Sequence, residues 1–114
     1  CKVGVTVTRC AATGCRVKVL YPTRDAGGAE APYCTDGVDV CRGIANLVGF
    51  DKLGLGFLLE HLAAARSGCV LDATPLSLLE TRGIVGQTPI PPPALVYSHG
   101  FGGNMDMSTY ALRA

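Results

Sequence analysis

An α/β signature stands at Pro93-Ala94-Leu95-Val96-Tyr97-Ser98-His99-Gly100-Phe101-Gly102-Gly103-Asn104. Leu95, Val96 and Tyr97 form a short apolar run that suits a buried strand. The run breaks into a turn where glycine recurs at 100, 102 and 103, leaving backbone N–H groups with no Cβ in the way. After Asn104 no helix breaker follows, and Asn104 or Asp106 is placed to cap a helix start. Strand, turn and helix in that order are α/β logic, with the loop at the carboxyl end of the strand, where such sheets place ligands. A strand ending in exposed N–H donors is also how acyl-transfer enzymes build an oxyanion hole.

Upstream of this element lies a long connector, residues 67–93, punctuated by Gly68, Pro75, Gly83, Gly86, Pro89 and the run Pro91-Pro92-Pro93. The proline run predicts an extended polyproline segment feeding into the strand. A short helix fits Leu76–Thr81. Before the connector, residues 41–66 read as helical. Ile44, Leu47, Val48, Leu55, Leu58, Leu59 and Leu62 recur at helical spacing, and Gly49 to Asp51 marks a break that makes two helices. That apolar face has two readings: an ordinary core-facing helix, or a partly exposed face over 44–62 that touches a lipid surface or a protein partner. Residues 23–32 read as a loop, and Tyr33–Gly37 as a turn or short helix.

The N-terminal part has a different period. Val3, Val5 and Val7 alternate with Gly4, Thr6 and Thr8, and Val17, Val19 and Tyr21 alternate again across Arg16–Tyr21. Ala11-Ala12-Thr13-Gly14 supplies a turn between them, so residues 1–22 predict an antiparallel hairpin that Pro22 ends. The expected architecture is an α/β arrangement with an incomplete sheet: hairpin, helix, connector, strand with oxyanion turn, helix start.

Composition narrows the function classes. A net charge of +1 over 114 residues gives no reason to expect nucleic acid as a partner. Charged residues are 17% against the ~25% of ordinary soluble domains, hydrophobic residues are 48%, and the mean hydropathy is positive. The chain has more to bury than its size easily covers, which points to a piece of a larger core or a chain that leans on a partner. The longest apolar candidate, Leu47 to Ala65, is interrupted by Asp51, Lys52, Glu60 and His61 and does not read as membrane-spanning. No basic and then apolar leader opens the sequence at Cys1, although a processed start would read the same way, so the compartment is left open.

The six cysteines, at 1, 10, 15, 34, 41 and 69, allow three readings. They are a disulfide framework, with Cys10 and Cys15 brought together by the hairpin and Cys34 and Cys41 by another short loop. Alternatively they are buried free thiols acting as small hydrophobes. A zinc site is disfavoured, because there is no Cys-x-x-Cys pair and neither His61 nor His99 lies near a cysteine in sequence. No metal and no cofactor is implied. Gly100-Phe101-Gly102-Gly103 lacks the Lys-Ser/Thr and the spacing of a phosphate loop. Glu30, Asp36, Asp39 and Asp51 read as solvated surface charge rather than paired catalytic carboxylates.

Taken together, several stretches resemble the N-terminal part of the platelet-activating-factor acetylhydrolase family of α/β-hydrolases, serine esterases that cleave short or oxidised acyl groups from phospholipids. They are Val17-Lys18-Val19-Leu20-Tyr21-Pro22, Ala31-Pro32-Tyr33, the segment Gly43 to Ala63, and Leu95 to Gly103. The Ser-His-Gly-x-Gly element is shared by many α/β-hydrolases; its combination with the Tyr-Pro strand and the long connector is more specific. The resemblance implies that Phe101 lends its backbone N–H to the oxyanion hole, with His99, Gly100 and Gly102 supporting the turn. It implies a phospholipid or lipid-ester substrate for the parent enzyme. Under the same resemblance the triad histidine lies far downstream, so His99 is not expected to act as the general base. Ser98 lacks the Gly-x-Ser-x-Gly elbow that exposes a nucleophile, and so do Ser67, Ser77 and Ser108. With no nucleophile among these residues, they are not expected to hydrolyse esters in isolation. Two alternatives stand beside this reading: a non-catalytic interaction or structural subunit derived from a hydrolase, and a small disulfide-stapled domain.

Overall fold

The computed structural model describes residues 2–77, 94–99, 103–106 and 108–113. Strands β1 (Lys2–Arg9), β2 (Arg16–Thr23) and β3 (Glu30–Pro32) are followed by helix α1 (Val38–Leu47). A 3₁₀ turn at Asp51–Leu53, helix α2 (Phe57–Glu60) and a second 3₁₀ turn at His61–Ala64 lead to strand β4 (Arg66–Leu71), and helix α3 covers Thr109–Leu112. The four strands form one sheet in the order β2-β1-β4-β3. It is mixed: β1 pairs antiparallel with β2 and parallel with β4. A small mixed sheet with short helices is the α/β character expected from the sequence. The chain divides into two units, Cys1–Ala29 with Cys69–Ser98, and Glu30–Gly68 with His99–Ala114.

In the first unit the alternation of β1 and β2 becomes the expected hairpin, and its register carries information the sequence did not. Val3 faces Pro22, Gly4 faces Tyr21 and Val5 faces Leu20. Because odd positions of β1 oppose even positions of β2, Val3, Val5 and Val7 lie on one face while Val17, Val19 and Tyr21 lie on the other. Both faces of this hairpin therefore carry apolar side chains, as in sheets covered on two sides. Val5 is buried, whereas Val17 and Val19 are 41% and 37% exposed. Pro22 sits in β2 at the end of the strand order, where the absence of an N–H costs no ladder bond.

Gly4 is buried for a specific reason. The Tyr21 ring lies over it so closely that a Cβ at position 4 would stand 2.5 Å from Tyr21 Cε2. The Tyr21 hydroxyl then reaches past the strand and donates to the Ala73 carbonyl at 2.7 Å. Thr23 Oγ1 donates to the Thr74 carbonyl at 2.7 Å, and the Leu76 N–H to the Pro22 carbonyl at 3.1 Å. The chain leaving β4 is thus laid back along the Tyr-Pro end of β2. Leu76 and Ser77 are not helical there, and the remainder of the short helix expected at 76–81 lies outside the described residues, as does the proline run.

In the second unit, helix begins at Val38 rather than at Cys41, and ends where the glycine break was expected: Gly49 takes φ 78°, and the Phe50 N–H bonds back to the Ala45 carbonyl at 2.9 Å. The continuation to residue 64 is not one second helix but 3₁₀ turns around the four-residue α2, consistent with glycines at 54 and 56 eroding helix propensity. Buried positions of α1 are small, Cys41 and Ala45. Ile44, Leu55, Leu59 and Leu62 are half-buried, while Leu47, Val48, Leu53, Phe57 and Leu58 are exposed. Residues 33–37 form turns.

Two strands replace expected irregular segments. The end of the 23–32 loop is β3, and the connector begins with β4 instead of with coil. Ser67 Oγ donates to the Ala31 carbonyl at 3.0 Å, the Tyr33 N–H to the Ala65 carbonyl at 2.8 Å, and the Gly68 N–H to Glu30 Oε1 at 2.9 Å. These bonds come from residues far apart in sequence, and local propensity carries no trace of them. Gly68 has φ 73°, and a Cβ there would run into the Arg113 guanidinium, whose Nη1 donates to the Ser67 carbonyl at 2.6 Å. Glycine is the residue that both fits the left-handed backbone and leaves that cation room.

Candidate functional site

The site the sequence pointed to begins at residue 94. Ala94–His99 is described and forms no strand; Leu95, Val96 and Tyr97 are 79%, 92% and 51% exposed. This corrects the expectation of a buried strand ending in the His-Gly turn. Strand preference in Leu-Val-Tyr is a preference for packing on a sheet face and pairing with a neighbour, and none of the described strands pairs with this segment. His99 is exposed. Gly100, Phe101 and Gly102, which carry the expected oxyanion turn, lie outside the described residues.

The chain after the turn is tied down by Asp106, whose sequence position predicts a helix cap instead. Asp106 is 2% exposed. Its Oδ2 accepts the Thr35 N–H at 3.0 Å and its Oδ1 accepts the Thr35 hydroxyl at 2.7 Å. Asn104 Oδ1 accepts the Asp106 N–H at 2.9 Å, shaping the approach. Neither side chain caps α3, whose N-cap position is Ser108 with no side-chain cap bond. The correction has a simple cause: a carboxylate satisfied twice by a threonine 71 residues away does more for a buried position than a cap on a four-residue helix. Thr109 is fully buried, and its Oγ1 finds no hydrogen-bond partner among the described residues.

A second polar cluster lies at the carboxyl end of β4, in the other unit. Asp72 adopts φ 47°, the one non-glycine residue with positive φ among the described residues. Its N–H donates to the Val5 carbonyl at 2.9 Å, and Thr6 Oγ1 donates to its Oδ1 at 2.6 Å. Aspartate tolerates the left-handed region because its short side chain finds partners nearby, and those two bonds hold it there. The Tyr21 phenol is pushed above its ordinary pKa, first by burial and then by the Asp72 carboxylate. No sequence signal marks Asp72; Tyr21 is marked by its place in the strand alternation and by its Tyr-Pro step.

Among the described residues no cluster of three or more His, Cys, Asp or Glu side chains is placed to hold a metal ion. No helix of the described residues is long and apolar enough to cross a membrane. Cys10, Cys15, Cys34, Cys41 and Cys69 are thiols rather than disulfides, with Cys34, Cys41 and Cys69 buried. Compared with family models, with characterised proteins and with solved structures, the chain finds no match.

Proposed function

We propose that these residues are the N-terminal portion of a serine carboxylic-ester hydrolase acting on phospholipid esters, resembling the platelet-activating-factor acetylhydrolases. The observation that carries the reading is the element Ser98-His99-Gly100-Phe101-Gly102-Gly103. The Tyr21-Pro22 step supports it: it lies in β2 of the mixed sheet, although the strand runs on to Thr23 and is not ended by Pro22 as the sequence predicts. In this reading a serine outside residues 1–114 attacks the ester carbonyl. The Phe101 N–H donates to the oxygen as it becomes an oxyanion, and His99, Gly100 and Gly102 shape the turn. No metal or cofactor takes part.

The test is a fluorophosphonate probe applied to the natural polypeptide that carries this sequence, followed by mapping of the labelled serine. Labelling of a serine outside residues 1–114, blocked by a short-chain phospholipid ester, is the expected result; no labelled serine overturns the reading. With activity in hand, Phe101→Pro, which removes the N–H, is expected to lower kcat by about 10²–10³. Phe101→Ala, which keeps it, stays near the parent rate.

A second reading, a non-catalytic subunit that docks through an apolar surface, is favoured by one observation. Leu47, Val48, Leu53, Phe57 and Leu58 are 57%, 53%, 70%, 62% and 42% exposed within a dozen residues of chain. An unlabelled polypeptide that purifies in a stable complex is its signature.

A further inference from the structure

The β1–β2 register ends at Arg9 and Arg16. Just beyond it the Cys10 N–H donates to the Cys15 carbonyl at 2.8 Å and the Cys10 carbonyl accepts the Gly14 N–H at 2.7 Å, so Gly14, at φ 69°, and Cys15 together oppose Cys10 in a glycine bulge. Directly opposed residues of an antiparallel pair point to the same face. Cross-strand neighbours have Cα atoms about 4.5–5.5 Å apart, inside the ~4.4–6.8 Å that a disulfide spans. Cys15 is held against Thr13. The Cys15 Sγ lies 4.0 Å from the Thr13 carbonyl, and Thr13 Oγ1 accepts the Cys15 N–H at 3.3 Å. The other described cysteines, 34, 41 and 69, are buried at 1–2% exposure, whereas Cys15 is exposed and Cys10 partly so.

We propose that Cys10 and Cys15 form a reversible dithiol–disulfide pair at the tip of the hairpin, oxidised by exchange with a low-molecular-weight disulfide. Cys10 is the attacking thiol. Hydrogen bonds from the Thr13 side chain, then from the Thr13 and Ala12 backbone, lower its pKa, against a smaller opposing effect of burial.

The Cys10 thiolate attacks one sulfur of the disulfide RSSR, forming Cys10–S–S–R and expelling RS⁻, which takes a proton as RSH. Cys15 then loses its proton to solvent and attacks the Cys10 sulfur. The mixed S–S bond breaks, the Cys10–Cys15 bond forms, and the second RS⁻ leaves and is protonated. The dithiol gives up two electrons and RSSR becomes two RSH, so no further oxidant is needed.

The probe is oxidised glutathione, added to the reduced natural polypeptide, with products read by intact mass and peptide mapping. The expected product is a Cys10–Cys15 link with two glutathiones released per chain, reversed by excess reduced glutathione. Cys15→Ser is expected to trap one glutathionyl group on Cys10. Cys10→Ser is expected to slow the first exchange, and Thr13→Val to slow it several-fold with Cys10 still present. Cys10 and Cys15 remaining free would overturn the proposal, as would either of them linked to Cys1, Cys34, Cys41 or Cys69. So would glutathionylation of Cys10→Ser at the parent rate. Far-ultraviolet circular dichroism of each variant separates loss of reactivity from loss of fold.

Discussion

Tyr21 does three things from one position: its ring covers Gly4, its hydroxyl satisfies the Ala73 carbonyl, and its phenol faces Asp72. Removing the hydroxyl in Tyr21→Phe is expected to cost about 1 kcal/mol in urea denaturation, the usual worth of one such bond. Because the folded phenol has a pKa above its unfolded value of ~10, the folded state holds the proton more tightly. That contribution is fully present below about pH 10 and is lost as the pH rises through the folded pKa. Tyr21→Phe should therefore flatten the alkaline limb of a stability–pH curve; an unchanged limb would refute the assignment. Gly4→Ala pushes a methyl into the same ring and is expected to cost about 1–3 kcal/mol. In a double-mutant cycle the two changes should fall short of additive, because both forfeit the same hydroxyl contact.

Among the elements, α3 shows how little a short helix can anchor by itself. It has four residues and no side-chain cap; what fixes the segment before it is the Asp106 carboxylate on Thr35. Asp106→Ala leaves the Thr35 N–H and hydroxyl without that acceptor and is expected to cost about 1.5–3 kcal/mol. A shift in urea midpoint at constant slope would report it. The sequence made α1, its glycine break and the β1–β2 hairpin legible, because each declares itself within a few residues: the Val3-Val5-Val7 alternation, the Ile44-Leu47-Val48 spacing, the turn at Ala11–Gly14. It did not make β4 legible. Arg66-Ser67-Gly68-Cys69-Val70-Leu71 does not alternate and contains a glycine, and its strand state rests on partners at Gly4, Val5, Glu30 and Ala31. The same logic ran in reverse at Leu95-Val96-Tyr97, where strong local preference found no partner among the described strands. Of the candidate site, the Gly-rich turn was legible only as a motif. Asp106 and Asp72 act through bonds to Thr35 and Thr6, 71 and 66 residues distant, which no local pattern announces.

At the scale of the molecule, burial among the described residues is thin. Their buried hydrophobic side chains are mostly small, Ala31, Cys34, Cys41, Ala45, Cys69 and Ala73 beside Val5 and Val70, while larger apolar side chains stand exposed. This agrees with the low charge and high apolarity of the sequence. Leu53→Lys with Phe57→Glu is expected to change stability by no more than ~0.5 kcal/mol, since both side chains are mostly in water. The same pair should reduce self-association in sedimentation velocity. A large loss of stability instead would mean that these residues are packed. The parallel pairing of β1 with β4 has a further consequence, in time. The β1–β2 hairpin closes in about 1–10 μs once made, but β1 receives its other neighbour only after residues 24–71 have been synthesised. At ~5–20 residues per second that interval is about 2–10 s. Throughout it Gly4 and Val5 present an unpaired strand edge to everything else in the cell, so the nascent chain has more need of a chaperone during its synthesis than after it.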